Sequence, residues 1–188
     1  MAKLSPIIRQ RLAEAIQHHI PANEIEASHQ DTILQLIETC DDPLDRDRYS
    51  PGHITASAWV VAVDTRQVGL IFHKGLQRWL QPGGHVDPGE TDILAAALRE
   101  VAEEMGLAVA SSRAQLFDVD VHPIPARPPY PTHQHFDIRY LCLTESQPIV
   151  PATDVEQGRW FSIEELTPDI LDSSMQRMLD KCFSAGIL

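Results

Sequence analysis

Three glutamates, Glu100, Glu103 and Glu104, lie close together near the middle of the chain. On a helix, at about 100° per residue, their side chains fall on one arc of the surface. Like charges at this spacing destabilise a helix by a few tenths of a kcal/mol per pair. A divalent cation would relieve the repulsion, and hard cations such as Mg²⁺ and Mn²⁺ take oxygen ligands. The spacing therefore indicates a metal site, with a solvated acidic face as the alternative.

A turn-rich loop, PGGHVDPGE over residues 82–90, comes directly before this stretch. Its glycines permit backbone conformations and close approaches that other residues disfavour, and its prolines stiffen it. We expect no regular secondary structure here, and we expect the backbone of Gly83 and Gly84 to shape a metal and phosphate site. A merely solvated acidic helix would not need such a loop, so the combination favours the metal site.

The pattern becomes helical at Thr91, which is suited to be the N-cap residue. Gly106 is suited to end the helix as its C′ residue. Between them, apolar residues recur at three- and four-residue steps and predict a face that packs on a core: Ile93, Leu94, Ala97, Leu98, Val101 and Met105.

This loop and helix together resemble the Nudix box, the signature of the Nudix hydrolase superfamily. The matching residues are Gly84, Glu90 and the run REVAEEMGL over residues 99–107. The segment between Glu90 and Arg99 is one residue longer than in the family pattern. If the additional residue lies in the turn, the helix face is unaffected, whereas within the helix it would displace Glu90 relative to Arg99.

The resemblance implies the Nudix fold over residues from about 53 to 188, an α/β chain of the α+β type with a mixed β-sheet held between helices. It also implies hydrolysis of a phosphoanhydride bond in a nucleoside diphosphate linked to another moiety, or in a related diphosphate, with Mg²⁺ or Mn²⁺. The cofactor would neutralise the charge that shields a diphosphate from nucleophiles, and would orient or activate water.

The resemblance also implies roles for particular residues. Glu100, Glu103 and Glu104 would hold the metal beside the backbone of Gly84, and Arg99 would orient a glutamate. We therefore expect Glu100, Glu103 and Arg99 to be catalytic. Two further carboxylates are candidates for the same site, Glu90 in the box and Glu156 ahead of a tryptophan-bearing strand. The general base stays open among Glu100, Glu103, Glu156 and the pair His135 and Asp137.

Two later segments alternate apolar and polar residues, as strands with one buried face do. Their polar positions are rich in ligating groups: Asp120, His122, His135, Asp137 and Arg139. We predict that His135, Asp137 and Arg139 bind the substrate, together with Arg78 just before the glycine-rich loop. The alternative is that these side chains point to water. The proline-rich segment over residues 122–133 should be a loop, because proline cannot continue a ladder.

The N-terminal part is predicted to be a helical hairpin that the resemblance does not cover. Pro21 should end its first helix and Asn23 should begin the second. We therefore divide the chain into a helical extension, residues 1–45, and a Nudix hydrolase domain, residues 46–188. The apolar faces of the hairpin must be covered by the main domain or by a second subunit, so a homodimer through these helices is one of two possibilities.

The composition limits the partners of the chain. Its 188 residues include 27 acidic and 15 basic side chains, a formal charge of −12. This charge argues against long nucleic acids, but a bound cation can neutralise a small phosphorylated substrate, for which a nucleotide is expected. No apolar run approaches a membrane span and no signal-peptide pattern is present, so we expect a cytoplasmic protein without a membrane partner. The cysteines lack a close pair and are expected to be free thiols: Cys40, Cys142 and Cys182.

Two other functions are compatible with the same fold. An isopentenyl-diphosphate isomerase-like enzyme needs an active-site cysteine, whereas the cysteines here fall in flanking helices or in a late strand. A non-catalytic Nudix-like ligand-binding or regulatory module tends to lose acidic residues of the box, and all of them are present here. Hydrolysis is therefore the prediction, with the identity of the substrate open.

Overall fold

The computed structural model describes residues 4–151 and 155–188, which form a mixed seven-stranded sheet between helices. In these residues the helices are α1 (Pro6–His18), α2 (Glu24–Thr39), α3 (Ile93–Met105) and α4 (Ser173–Ser184). The strands are β1 (Gly52–Ala62), β2 (Gln67–His73), β3 (Arg78–Leu80), β4 (Gly83–His85), β5 (Ala114–Ile124), β6 (His133–Thr144) and β7 (Val155–Phe161). The predicted fold class, with its N-terminal helical hairpin, is confirmed. Among the described helices, none is long and apolar enough to span a bilayer.

Strand β1 is the centre of the sheet. It runs parallel to β6 over eleven residue pairs, and its two ends pair antiparallel with β4 and β2. Strand β5 adds to β6, and strands β3 and β7 add to β2. The parallel register places His53 beside His135 and Thr55 beside Asp137. Because side chains alternate along a strand, these four residues point to the same face of the sheet.

The two faces of the sheet carry separate apolar clusters. On one face Trp59 packs with Met175 and Met178 of α4. On the other face Ala58 and Val60 of β1 pack with the apolar side of α3. The alternation of β1 therefore separates the helix that carries the glutamates from α4.

Helices α1 and α2 pack on the sheet of their own chain. Ile16 and Ile33 are fully buried in one cluster with Ile54 and Ile138 of β1 and β6. Of the two predicted ways to cover these helices, the structure shows packing on the main domain. The homodimer through these helices and the domain boundary near residue 45 both stay predictions.

Three local predictions were wrong. Strand β4 lies inside the loop that was expected to lack regular structure, because the segment pairs with β1. Strand β5 continues through Pro123, which an edge strand tolerates because its outer side needs no ladder hydrogen bond. Asp92, not Thr91, caps α3, since the Asp92 side chain accepts a hydrogen bond of 3.2 Å from the Ala95 N–H.

A network of buried charges joins α4 to strands β5 and β6. Arg177 of α4 donates two hydrogen bonds of 2.7 Å to Asp118 of β5. Arg139 of β6 donates to Asp137 at 2.7 Å and to Asp120 at 3.2 Å. These five residues are at most 7% exposed. An unpaired charge at this depth would be strongly destabilising, so the pairing decides how these elements dock.

Glu26 extends the network to the N-terminal hairpin. It is fully buried on α2 and accepts hydrogen bonds from Lys181 of α4 at 2.7 Å and from the Ala22 N–H at 2.6 Å. Its carboxylate also lies 2.7 Å from Nε2 of His19. Burial opposes ionisation, but these partners outweigh it and lower the pKa of Glu26 to about 2. The ionised carboxylate therefore stabilises the contact between α2 and α4.

The substitution Glu26→Gln should lower the free energy of unfolding at neutral pH by about 3 kcal/mol, because the pKa of this carboxyl falls from 4.5 to about 2 on folding. The contribution is fully present above pH 4.5 and is lost as the pH falls through 2. The difference in stability between the two proteins should therefore narrow over this interval. Urea unfolding of both proteins at neutral pH and at several lower pH values measures this difference.

The matched control is Glu38→Gln, which removes an exposed carboxylate from the same helix. It should change the free energy of unfolding by less than about half a kcal/mol at any of these pH values. Equal effects of the two substitutions would contradict the role of Glu26.

Candidate active site

Helix α3 presents its three glutamates at different depths. Glu104 is 8% exposed, and the side chains of Glu100 and Glu103 are 12% and 56% exposed. The helix buries its apolar side, including Val101 and Met105, against the sheet. The glutamates occupy the helix surface next to this apolar side. That surface borders β4, whose backbone belongs to the glycine-rich segment. The glutamates thus share one region, as the helical spacing predicted.

Arg99 is the centre of this region. Its guanidinium donates to both carboxylate oxygens of Glu90, at 3.0 and 2.9 Å. It also donates to Glu100 at 2.8 Å, to Glu103 at 3.2 Å and to the His85 carbonyl of β4 at 3.0 Å. One cation therefore binds three carboxylates and a strand, which offsets the repulsion among the acidic groups. These contacts are those that an orienting role for Arg99 requires.

The two carboxylates that Arg99 binds most closely have opposite pKa shifts. The hydrogen bonds from Arg99 lower the pKa of Glu90. Burial raises the pKa of Glu100, although Arg99 acts in the other direction. The pKa of Arg99 itself is raised, chiefly by its bonds to Glu90. Glu90 is thus a stable ionic partner of Arg99, while burial makes the protonated form of Glu100 more favourable than it is in water.

Two glycines let β4 pass between β1 and α3. A Cβ on Gly84 would lie 2.5 Å from Oε1 of Glu100, and a Cβ on Gly83 would lie 2.8 Å from the Cα of Ser57. The Gly83 N–H donates a hydrogen bond of 2.9 Å to Glu104. Backbone and carboxylates approach this closely only because the glycines lack side chains. The carboxylate oxygens in this region are of the donor type that hard divalent cations such as Mg²⁺ or Mn²⁺ take.

The additional residue of the box does not separate Glu90 from Arg99. Helix α3 is α-helical throughout Ile93–Met105, and Glu90 binds Arg99 from the preceding loop through two hydrogen bonds.

The residues predicted to bind substrate are not all brought together. Asp137 and Arg139 are each 2% exposed and bind each other. Asp137 also accepts hydrogen bonds from the hydroxyls of Thr55, at 2.9 Å, and Ser57, at 2.7 Å. Because these charges are satisfied inside the protein, the geometry does not support their contact with substrate. It favours a role in holding β1 against β6.

Arg78, Glu156 and His135 lie in three different places. Arg78 is exposed on β3, 3.5 Å from Asp172. Glu156 is exposed on β7, which pairs with β2. The ring of His135 on β6 lies 5.3 Å from the ring of His85, next to the Gly84 backbone. Of the three residues, His135 is the one that the structure brings beside β4, on the face of the sheet opposite to α3.

Sequence reasoning missed a group of histidines on the face of the sheet opposite to α3. The rings of His53, His85 and His135 lie 5.0 to 5.3 Å apart, and the ring of His133 lies 5.2 Å from those of His53 and His135. Burial lowers the pKa of His85 to about 4 and that of His135 to about 3, so both are neutral at physiological pH. The spacing of His133 and His135 was visible in the sequence, but His53 and His85 join them only through the sheet register.

Comparison with known proteins decides the family. A family model described as the NUDIX domain matches residues 53–182. The chain belongs to the Nudix superfamily. Phosphatase NudJ of Escherichia coli (strain K12) is 31% identical over 141 residues, which cover 71% of this chain and 84% of that protein. A candidate 8-oxo-dGTP diphosphatase of Bacillus subtilis (strain 168) is 31% identical over 110 residues, which cover 57% of this chain and 66%, just under two thirds, of that protein.

A solved structure shows the same fold. The crystal structure of a MutT/nudix family protein from Enterococcus faecalis superposes with a TM-score of 0.57 at 18% identity. The match covers 98% of this chain and 75% of that one, so it includes the N-terminal helices. The predicted membership of the Nudix family is confirmed, and the glutamates of α3 belong to a Nudix hydrolase.

The substitution Gly84→Ala should weaken the binding of Mn²⁺ to this Nudix hydrolase at least tenfold, about 1.4 kcal/mol. The new methyl group would occupy the position 2.5 Å from the Glu100 carboxylate and displace it. Calorimetry with Mn²⁺ measures the affinity, and the melting temperature shows that the fold is kept.

Gly75→Ala is the matched control for this substitution. Gly75 is exposed, and the atom closest to its new Cβ would be the end of the Arg127 side chain, which can move away. Unchanged Mn²⁺ affinity in Gly84→Ala, or equal losses in both variants, would show that the close approach to Glu100 does not matter.

Proposed function

We propose that this Nudix hydrolase cleaves a phosphoanhydride bond in a nucleoside diphosphate linked to another moiety, or in a related diphosphate. The observation that carries the proposal is the arrangement around Arg99, in which the carboxylates of α3 meet the glycines of β4. Glu100, Glu103 and Glu104 would hold Mg²⁺ or Mn²⁺ beside the Gly84 backbone. When bound, the cation supplies neutralisation of the phosphate charge and a lower pKa for a water molecule.

The deeper glutamates are oriented before any substrate arrives. Glu104 accepts the hydrogen bond from the Gly83 N–H, and Glu100 is held by Arg99 against Gly84. Preorganised ligands need little rearrangement during the reaction, which lowers the activation free energy. Glu100 and Glu104 are therefore proposed as ligands that stay in place through the reaction.

Glu103 is proposed as the general base. Its side chain is 56% exposed, which gives it more access to water than Glu100 or Glu104 has. Arg99 binds Oε2 of Glu103, so Oε1 is the atom proposed to take the proton of the attacking water. Arg99 and Glu90 act as positioning residues, since their paired hydrogen bonds tie the loop before α3 to the helix.

The charge of the chain supports a small substrate. With a formal charge of −12 it repels polyanions, whereas a locally bound cation can neutralise one diphosphate group. A nucleotide is the first candidate, on the strength of the family resemblance. A cytoplasmic location belongs to the same proposal and rests on the composition of the sequence.

The cysteines argue against an isomerase-like reaction. All three are buried, and burial raises the pKa of Cys142 and of Cys182 to about 12. A thiol in such surroundings stays protonated and is a poor nucleophile or acid-base catalyst. Hydrolysis by the carboxylate site is therefore favoured over chemistry that needs an active-site cysteine.

The substitutions Glu103→Gln and Glu104→Gln should each lower the turnover number at least tenfold, about 1.4 kcal/mol of activation free energy, without unfolding the protein. The substrate comes from a screen with Mg²⁺ or Mn²⁺ that covers ADP-ribose, dinucleoside polyphosphates, nucleotide sugars, oxidised nucleoside triphosphates and prenyl diphosphates. Glu38→Gln is the control for loss of one carboxylate far from the site.

Two outcomes would count against the proposal. Full activity in a correctly folded double variant would remove the glutamates from the mechanism. Measurable ligand binding by the unmodified protein without release of product would instead identify a non-catalytic module.

A further inference from the structure

Three histidines from three strands bring their ring nitrogens together. One ring nitrogen from each of His53 in β1, His85 in β4 and His135 in β6 lies within 4.8 Å of the other two. The strand pairings cause this, because His53 is the neighbour of His135, and His85 pairs with Thr55, two residues further along β1. This histidine cluster contains none of the glutamates of the Nudix box.

Two nitrogens of the histidine cluster are buried without a hydrogen-bond partner, Nε2 of His53 and Nε2 of His135. His53 itself is fully buried. Its Nδ1 lies 2.9 Å from the Arg48 carbonyl and therefore carries the proton, so its Nε2 holds a lone pair. A buried lone pair that no donor approaches is unfavourable unless a proton or a cation fills the space in front of it.

The surroundings of His53 are those of a metal ligand. Histidines that bind metals usually donate their other ring N–H to a carbonyl or carboxylate, which fixes the tautomer and the ring orientation. The bond from His53 to the Arg48 carbonyl has this form. A purely packing role would explain the ring contacts, but not the two buried nitrogens without partners in rings whose nitrogens approach within 4.8 Å.

We propose that His53, His85 and His135 bind one transition-metal ion of the Zn²⁺ type, at a site separate from the glutamates of α3. Neutral imidazoles suit Zn²⁺, Co²⁺ and Ni²⁺, whereas Mg²⁺ takes oxygen ligands. Three protein nitrogens leave one position of a tetrahedral ion to water or to a substrate oxygen. With Zn–N bonds of about 2.0 to 2.1 Å the ligand atoms lie about 3.4 Å apart, so binding needs the rings to close by roughly an ångström.

Strand β4 connects this site to the glutamates. The His85 side chain belongs to the histidine cluster, while its carbonyl accepts the hydrogen bond of 3.0 Å from Arg99. The preceding residue, Gly84, lies against Glu100. An ion bound by the histidines therefore holds β4 against both β1 and β6, in the position that the Nudix box requires.

Metal titration of the full chain tests the proposal. Protein stripped with a chelator and dialysed should develop the visible absorption bands of four-coordinate Co²⁺, saturating at about one equivalent, and Zn²⁺ should abolish them while excess Mg²⁺ does not. The same bands should persist in the double variant Glu103→Gln, Glu104→Gln, in which the oxygen site is disabled. X-ray absorption of the Zn²⁺ protein should show about three imidazole nitrogens.

Two variants assign the ligands. His53→Gln and His135→Gln should each weaken Co²⁺ binding at least a hundredfold, whereas the control His18→Gln, on the exposed side of α1, should leave it unchanged. If circular dichroism shows that His53→Gln does not fold, His135→Gln and the X-ray absorption of the unsubstituted protein decide.

Three results would overturn the proposal: no four-coordinate Co²⁺ spectrum, a Zn²⁺ environment of oxygen donors alone, or loss of the Co²⁺ bands in the glutamate variant but not in the histidine variants. The hydrolase proposal is tested separately, by turnover with Mg²⁺ or Mn²⁺, and can stand or fail independently.

Discussion

A charge that is removed from water must be paired inside the protein, and this constraint decides how the helices meet the sheet. Arg177 binds Asp118 through two hydrogen bonds, and Glu26 joins α2 to α4 through Lys181. Removing one partner of such a pair leaves an uncompensated charge in a medium of low dielectric constant, which costs several kcal/mol. Apolar contacts tolerate small displacements of a helix, whereas these hydrogen bonds are directional. The network therefore constrains how α2, α4, β5 and β6 are arranged.

The same constraint operates on a smaller scale at the glutamates. Arg99 compensates Glu90, Glu100 and Glu103 at once and also binds the backbone of β4. Arg99 therefore offsets the repulsion among the carboxylates and positions one or both oxygens of each. Burial still disfavours the charge of Glu100 and raises its pKa.

Sequence-based predictions were more accurate for features that depend on residues close together in the chain than for features that depend on distant segments. The arc of glutamates and the end of α3 at Gly106, whose φ is 69°, depend on neighbours a few residues away. The position of the candidate site in the chain and the fold class were therefore predictable. Arg139 and Asp137 look like ligand-binding residues on a strand face, but their partners, such as Ser57, come from a distant segment and bury them. No local pattern could show that this polar face is internal.

The amino-acid sequence by itself determined the family and the helix that carries the glutamates. It could do so because a helical face is set by covalent geometry at about 100° per residue, and because the box occupies one continuous segment. Only the tertiary structure decided that α1 and α2 pack on their own sheet, that Asp137 is internal, and that His53 meets His85 and His135. These outcomes depend on which strands pair and in which register. A register is chosen by the summed burial and hydrogen bonding of the whole sheet, which no single segment of the chain encodes.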